Sequence, residues 1–238
     1  MANDGGTPSI FWFIARRSFR SGRFFLSYGT GVGILLSVAL ALSGGAAFQS
    51  SYPLVAPIFP VVGSSGAIVV FTNDRIKGVL EYLLAYGMTP RRIFLNVLGS
   101  AMLLVAVVTT ATIGVGVGLF VARGHSIGTT LALDLLVYSV PMSFLCVAFA
   151  TTVGMMWTSL SSPRAGMNSP IGLIPFVGIL PAIITLFAIA GLAFSGASTS
   201  QNDAIVGLAV ESVVLILVVL LISGLSRFLR RERLLSPA

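Results

Sequence analysis

Residues 74–94, DRIKGVLEYLLAYGMTPRRIF, decide how the rest of the chain is read. They carry six of the 21 charged residues (Asp74, Arg75, Lys77, Glu81, Arg91 and Arg92), yet they lie between two long apolar runs. A short water-exposed helix between two membrane spans is the expectation. Ile76, Leu80, Leu83 and Leu84 recur at i, i+4, i+7 and i+8 and share one face, while Lys77 and Glu81 lie a turn apart on another. Gly87 stands where a glycine just past a helix end would stand, and Thr89-Pro90 reads as an N-cap followed by a first-turn proline. One helix therefore ends there and another begins at once. The stretch is either a solvated loop or a docking element. Its leucines must be covered by lipid, by the chain's own core or by a partner.

Composition sets the solvent. Of the 238 residues 56% are hydrophobic and 9% charged, against about a quarter charged in soluble domains, and the mean hydropathy is +1.01. The chain reads as an integral membrane protein. Its net charge of +7 comes from basic residues that flank apolar runs rather than forming a patch on a soluble face, so nucleic acid is excluded as a partner. The single cysteine, Cys146, lies in an apolar run and allows no internal disulfide.

Working outward from the central stretch, residues 10–23 interleave aromatic residues with Arg16, Arg17, Arg20 and Arg23. That pattern suits an amphipathic helix in the membrane interface, its guanidinium groups near anionic lipid. Spans are expected at about 24–47, 53–72, 91–121, 129–157, 170–188 and 204–226, with 74–90 as the segment joining the second and third. Gly29 and Gly33 have a small-xxx-small spacing that lets another helix approach closely. Gly114, Gly116 and Gly118 offer another close-contact surface. Pro53, Pro57, Pro60 and Gly63 weaken the second run, which must be covered by protein or line a cavity. Pro141 should kink the fourth span. Residues 170–203 exceed the ~20 residues that cross a bilayer, so an outer re-entrant piece is expected over 188–203, before the sixth span.

Six spans put both termini on one side. All of the 14 basic residues except Arg123, thirteen in number, then fall on the side of the termini. The positive-inside rule makes that side cytoplasmic and the chain a multi-pass plasma-membrane protein. No phosphate loop surrounds Lys77, the only lysine, and no base pairs with a nucleophile. One histidine and one cysteine hold no metal. An enzyme is not expected. Asp134 and Glu211 are the acids within the spans and the default candidates for an intramembrane polar site, although water or Arg123 near the outer boundary could serve them equally well.

Gly78-Val79-Leu80-Glu81-Tyr82-Leu83-Leu84 followed by Pro90-Arg91-Arg92 resembles the segment between the second and third spans of type-2 ATP-binding-cassette (ABC) transporter permeases, where G-T-L-E-x-L-L-x-x-P-x-x-R leads into the third span. Here Val79 stands for the usual threonine and two extra residues precede Pro90. The six spans, the Arg-rich leader and the outer re-entrant piece are similar to that exporter-like family as well. The resemblance implies an all-α single-domain permease without cofactors of its own, ATP and magnesium being bound by a partner ATPase. It also implies a second permease copy or related permease, for which Gly29/Gly33 and the proline-rich fifth segment are the candidate contacts, and a coupling helix on which the ATPase docks through Gly78, Leu80, Glu81, Leu83, Leu84, Gly87 and Pro90. Glu81, Gly87, Thr89 and Pro90 also fit the loop of binding-protein-dependent importers. A haem-exporter-like or FtsX-like permease and a non-transport membrane scaffold complete the alternatives.

Overall fold

The computed structural model describes residues 7–160, 174–194 and 200–228, and these form helices joined by short turns, with no strand among them. The helices are α1 (Thr7–Ser21), α2 (Arg23–Ser43), α3 (Gly45–Val55), α4 (Ile58–Ile76), α5 (Val79–Ala85), α6 (Pro90–Ala122) and α7 (Thr129–Leu133). A π-helical turn (Asp134–Ser139) then leads into α8 (Val140–Leu160), and α9 (Ile174–Phe194) and α10 (Ser200–Phe228) follow. Among the described residues, five stretches are long and apolar enough to cross a membrane: Arg23–Ser43, Phe48–Asp74, Pro90–Ala122, Thr129–Trp157 and Ile205–Gly224. A shorter apolar helix covers Val177–Leu192. The chain is thus all-helical and compatible with a membrane-embedded protein.

Helices α2, α4 and α6 pack on one another, α8 adds to α4 and α6, and α9 and α10 lie along α8. Small residues allow the tightest of these contacts. A Cβ placed on Gly29 would lie 2.6 Å from the Gly63 nitrogen and 2.8 Å from its Cα, so α2 and α4 meet backbone to backbone. Gly33 faces Phe59 and Thr112, and Gly22 faces Gly66. Gly29 and Gly33, expected at a contact with a second subunit, are therefore spent inside the chain. In α9, Gly178 likewise abuts Ala150 and Val61, and Pro181 is buried. Of Gly114, Gly116 and Gly118 in α6, Gly116 alone makes a close contact, with the Tyr52 hydroxyl. Gly114 and Gly118 face open space.

The proline-rich second span is the most enclosed of the five stretches, 72% buried against 22% for the first and last. It divides into α3 and α4 around Ala56-Pro57, and its broken backbone is repaired from outside. Pro57 has no N–H to give the Pro53 carbonyl four residues earlier, and Ser139 Oγ donates to that carbonyl instead, at 2.8 Å. Ser139→Ala would leave a buried carbonyl unpaired, and we expect a loss of about 1–3 kcal/mol. Ser143→Ala, which removes a bond to a carbonyl one turn back in its own helix, should cost less than about 1 kcal/mol. Thermal unfolding midpoints of the two variants in detergent check this, and equal shifts would refute it.

The kink expected at Pro141 takes the form of the π-helical turn immediately before it. Pro141 cannot donate to the Val137 carbonyl, and the widened turn accommodates the gap. The re-entrant piece expected over 188–203 is absent among the described residues. Residues 188–194 complete α9 and residues 200–203 open α10, while 195–199 lie outside the described residues.

The bundle has two distinct ends. At one, Arg17 of α1 pairs with Asp74 at the end of α4 (2.5 Å), Ser18 hydrogen-bonds Ser100 of α6 (3.3 Å), and Lys77, Arg91 and Arg92 are exposed nearby in sequence. At the other, Arg123 Nη1 donates to the Ala41 and Leu42 carbonyls and so caps α2. There the His125, Phe120, Phe48 and Tyr52 rings stack in sequence, with centroids 4.8, 4.5 and 4.4 Å apart. The stack ends where the Tyr52 hydroxyl donates to the Thr112 carbonyl at 2.8 Å.

Candidate functional site

Helix α5 is held at the basic end by caps that its own sequence supplies. Gly78, before its first turn, takes the left-handed conformation (φ 71°). That geometry favours a residue without Cβ and turns the chain sharply out of α4. At the other end Gly87 is also left-handed (φ 82°). The Gly87 N–H bonds the Leu84 carbonyl and the Met88 N–H bonds the Leu83 carbonyl, both at 3.1 Å, which is the paired closure of a Schellman motif. Met88 and Leu83 both pack into the main core cluster, as the motif's apolar contact requires. Thr89 Oγ1 then accepts from the Arg92 N–H at 3.3 Å and Pro90 opens α6.

The face of α5 turned inward differs from expectation. Leu80 and Leu84, expected on a surface for a partner, are each 2% exposed and belong to the same core cluster as Phe71, Ile93 and Phe94. Leu83 is partly buried against it. The physical reason is proximity: α4 and α6 enter and leave α5 through very short connections, and their apolar ends cover its leucines before any partner could. What remains outward is Glu81, Tyr82, Ala85 and Tyr86. Tyr82 and Tyr86, one turn apart, are 65% and 74% exposed. Their rings lie 4.9 Å apart and their hydroxyls 3.3 Å apart. The hydrogen bond shared with Tyr82, with a smaller contribution from burial, raises the Tyr86 phenol above its ordinary value. The outward ridge thus presents two exposed aromatic rings beside an exposed carboxylate. Their i, i+4 spacing was the available signal in the sequence.

Asp134 and Glu211, both within long apolar stretches, part company. Asp134 is exposed at the start of the π-helical turn. Glu211 in α10 is 9% exposed, and its Oε1 has no hydrogen-bond partner. One turn before it Gly207 packs against the Tyr138 ring, and the Tyr138 hydroxyl approaches Thr185 without a well-formed hydrogen bond. Among the described residues no three His, Cys, Asp or Glu side chains converge on one point.

No family model, no curated protein and no solved structure matches this chain. The fold and the site together define a class: an all-helical chain with five membrane-length apolar stretches, presenting a short, firmly capped helix at its basic end.

Proposed function

We propose that the chain is the membrane-spanning permease subunit of an ABC transporter, acting as an exporter whose ATP hydrolysis takes place on a separate cytoplasmic ATPase. In this reading α9 supplies a sixth crossing beside the five long apolar stretches. The basic end faces the cytoplasm with both termini, as the positive-inside rule prefers. A second copy or a related permease completes the translocation path.

The observation that carries the reading is the construction of α5. Its outward ridge of Glu81, Tyr82, Ala85 and Tyr86 is joined, through buried Leu80 and Leu84, to the core that α4 and α6 share. A docked ATPase pulling or pushing on the ridge moves two long helices together, whereas a loop would yield by itself. An ATPase shifts the permease only by contacting α5 differently in its two nucleotide states, and a rigid ridge converts that difference into helix tilt. Glu81 offers a partner Arg or Lys a charge at the rim, and the tyrosines offer flat apolar area of the kind enriched at interfaces.

A photo-crosslinking amino acid at Tyr86, used in native membranes, is expected to capture an ABC-type ATPase identifiable by mass spectrometry. Adding Glu81→Lys should lower capture by about tenfold, equivalent to 1.4 kcal/mol, with little change in fold stability because the site is exposed. Leu84→Asp is unsuitable for this test, since it would disrupt the core. Capture of lipid alone, or undiminished capture in the Glu81→Lys protein, would overturn the reading and leave a membrane scaffold.

A further inference from the structure

We propose that the outward stripe of α1, continued into the first turn of α2, is a docking surface for anionic phospholipid headgroups, with Arg16, Arg20 and Arg23 as the phosphate ligands. The inference requires only a membrane-embedded chain and stands independently of the transporter reading.

The structure sorts four arginines that look alike in the sequence. Arg17 is consumed internally: it pairs with the buried Asp74 carboxylate, and its guanidinium lies 5.4 Å from the centre of the Phe13 ring. Ile14, Ala15 and Ser18 are 4%, 1% and 1% exposed and hold α1 against its neighbours. On the opposite side Trp12, Arg16 and Arg20 follow one another at four-residue intervals and form one stripe. Arg23 extends it across the corner at Gly22, and all three of these arginines are exposed. Among the described residues the ion pair from Arg17 to Asp74 is the one salt bridge, so the three positive charges of the stripe carry no internal counter-charge. Trp12 and Phe24, exposed at 61% and 71%, flank them with ring surface.

Depth favours lipid over a soluble anionic partner. Helix α6 has 33 residues, about 50 Å at 1.5 Å per residue, and overshoots a ~30 Å hydrocarbon layer by about 20 Å. Arg91, Arg92 and Asn96 place most of that overshoot at the basic end. Helix α1 touches α6 at Gly99 and Ser100, roughly 15 Å in from Pro90, which is near the boundary of the hydrocarbon. A guanidinium row at that depth, bracketed by aromatic rings, meets headgroup phosphates. A guanidinium engages a phosphate through two parallel N–H donors, a task that suits arginine better than lysine.

Trp12 supplies the probe. The full-length protein carrying Trp157→Phe, reconstituted in bilayer discs, is excited at Trp12, and energy transfer is read to an acceptor attached to phosphatidylglycerol or to phosphatidylcholine. The expected result is a preference for phosphatidylglycerol of at least about fivefold, the amount one guanidinium contributes near an anionic surface, weakening as salt is raised. Arg16→Gln/Arg20→Gln/Arg23→Gln should abolish the preference. Arg17→Gln should retain it, and because that variant risks misfolding, Arg91→Gln/Arg92→Gln serves as the second control and should retain it too. Equal transfer to the two lipids in the parent protein would overturn the proposal, as would a preference that survives the triple substitution or is lost equally in the Arg91/Arg92 control. Competition by excess soluble glycerol phosphate would instead assign the site to free phosphate and also overturn it.

Discussion

Gly29→Val is expected to be among the most damaging single substitutions in the chain, costing about 3 kcal/mol or more and sharply reducing the yield of monodisperse protein. The new Cβ would fall 2.6–2.8 Å from the Gly63 nitrogen and Cα and 3.1 Å from the Phe59 carbonyl oxygen. These are backbone atoms of a helix enclosed on most sides, so no side-chain rotation relieves the clash. Helices in a bilayer gain little from the hydrophobic effect on associating, because lipid tails are as apolar as leucine, and close van der Waals contact carries much of the packing energy. Forcing α2 away from α4 would also separate Gly33 from Phe59 and Thr112, and Gly22 from Gly66. Gly114→Val is the matched control, since a Cβ at Gly114 meets nothing within 4 Å. It should change stability by no more than about 0.5 kcal/mol. Equal losses in the two variants, by unfolding midpoint and chromatographic yield, would mean that α2 and α4 do not meet backbone to backbone.

Breaking the pair between Arg17 and Asp74 from its two sides should give unequal results. Arg17→Ala leaves the Asp74 carboxylate, whose side chain is 8% exposed, charged and without its partner at the root of α5. The expected cost is about 3–5 kcal/mol. Asp74→Asn removes the buried charge, while Arg17, 29% exposed, can still reach water, and the expected cost is at most about 1–2 kcal/mol. The double variant Arg17→Ala/Asp74→Asn should therefore be more stable than Arg17→Ala alone, an inversion that independent sites do not produce. Chemical unfolding of the four proteins in one detergent decides it. Strict additivity would sink the claim that Asp74 depends on Arg17. Because Asp74 lies in the last turn of α4, a few residues before α5, the same pair ties α1 to the element we propose as the docking site, and loss of it should loosen that junction first.

The sequence by itself determined what short-range hydrogen bonding decides. The end of α5 at Gly87, the Thr89-Pro90 start of α6 and the break near Pro57 depend on residues within about one helical turn, where a missing N–H or an absent Cβ leaves few conformations open. It also determined that the proline-rich run had to be enclosed, because freed carbonyls need partners in an apolar medium. Which partner answers was beyond its reach: Ser139 lies 86 positions from Pro53. Tertiary structure alone decided that Leu80 and Leu84 face inward and Tyr82 and Tyr86 outward. It alone decided that Arg17 is spent on Asp74 while Arg16 and Arg20 have no ion pair among the described residues, and that Gly29 meets Gly63 rather than a second subunit. Periodicity tells which residues share a face and is silent on what covers it. In a membrane the ambiguity is at its greatest, since a leucine or glycine loses no water in choosing between lipid and a neighbouring helix, and only the fit of one helix surface to another makes the choice.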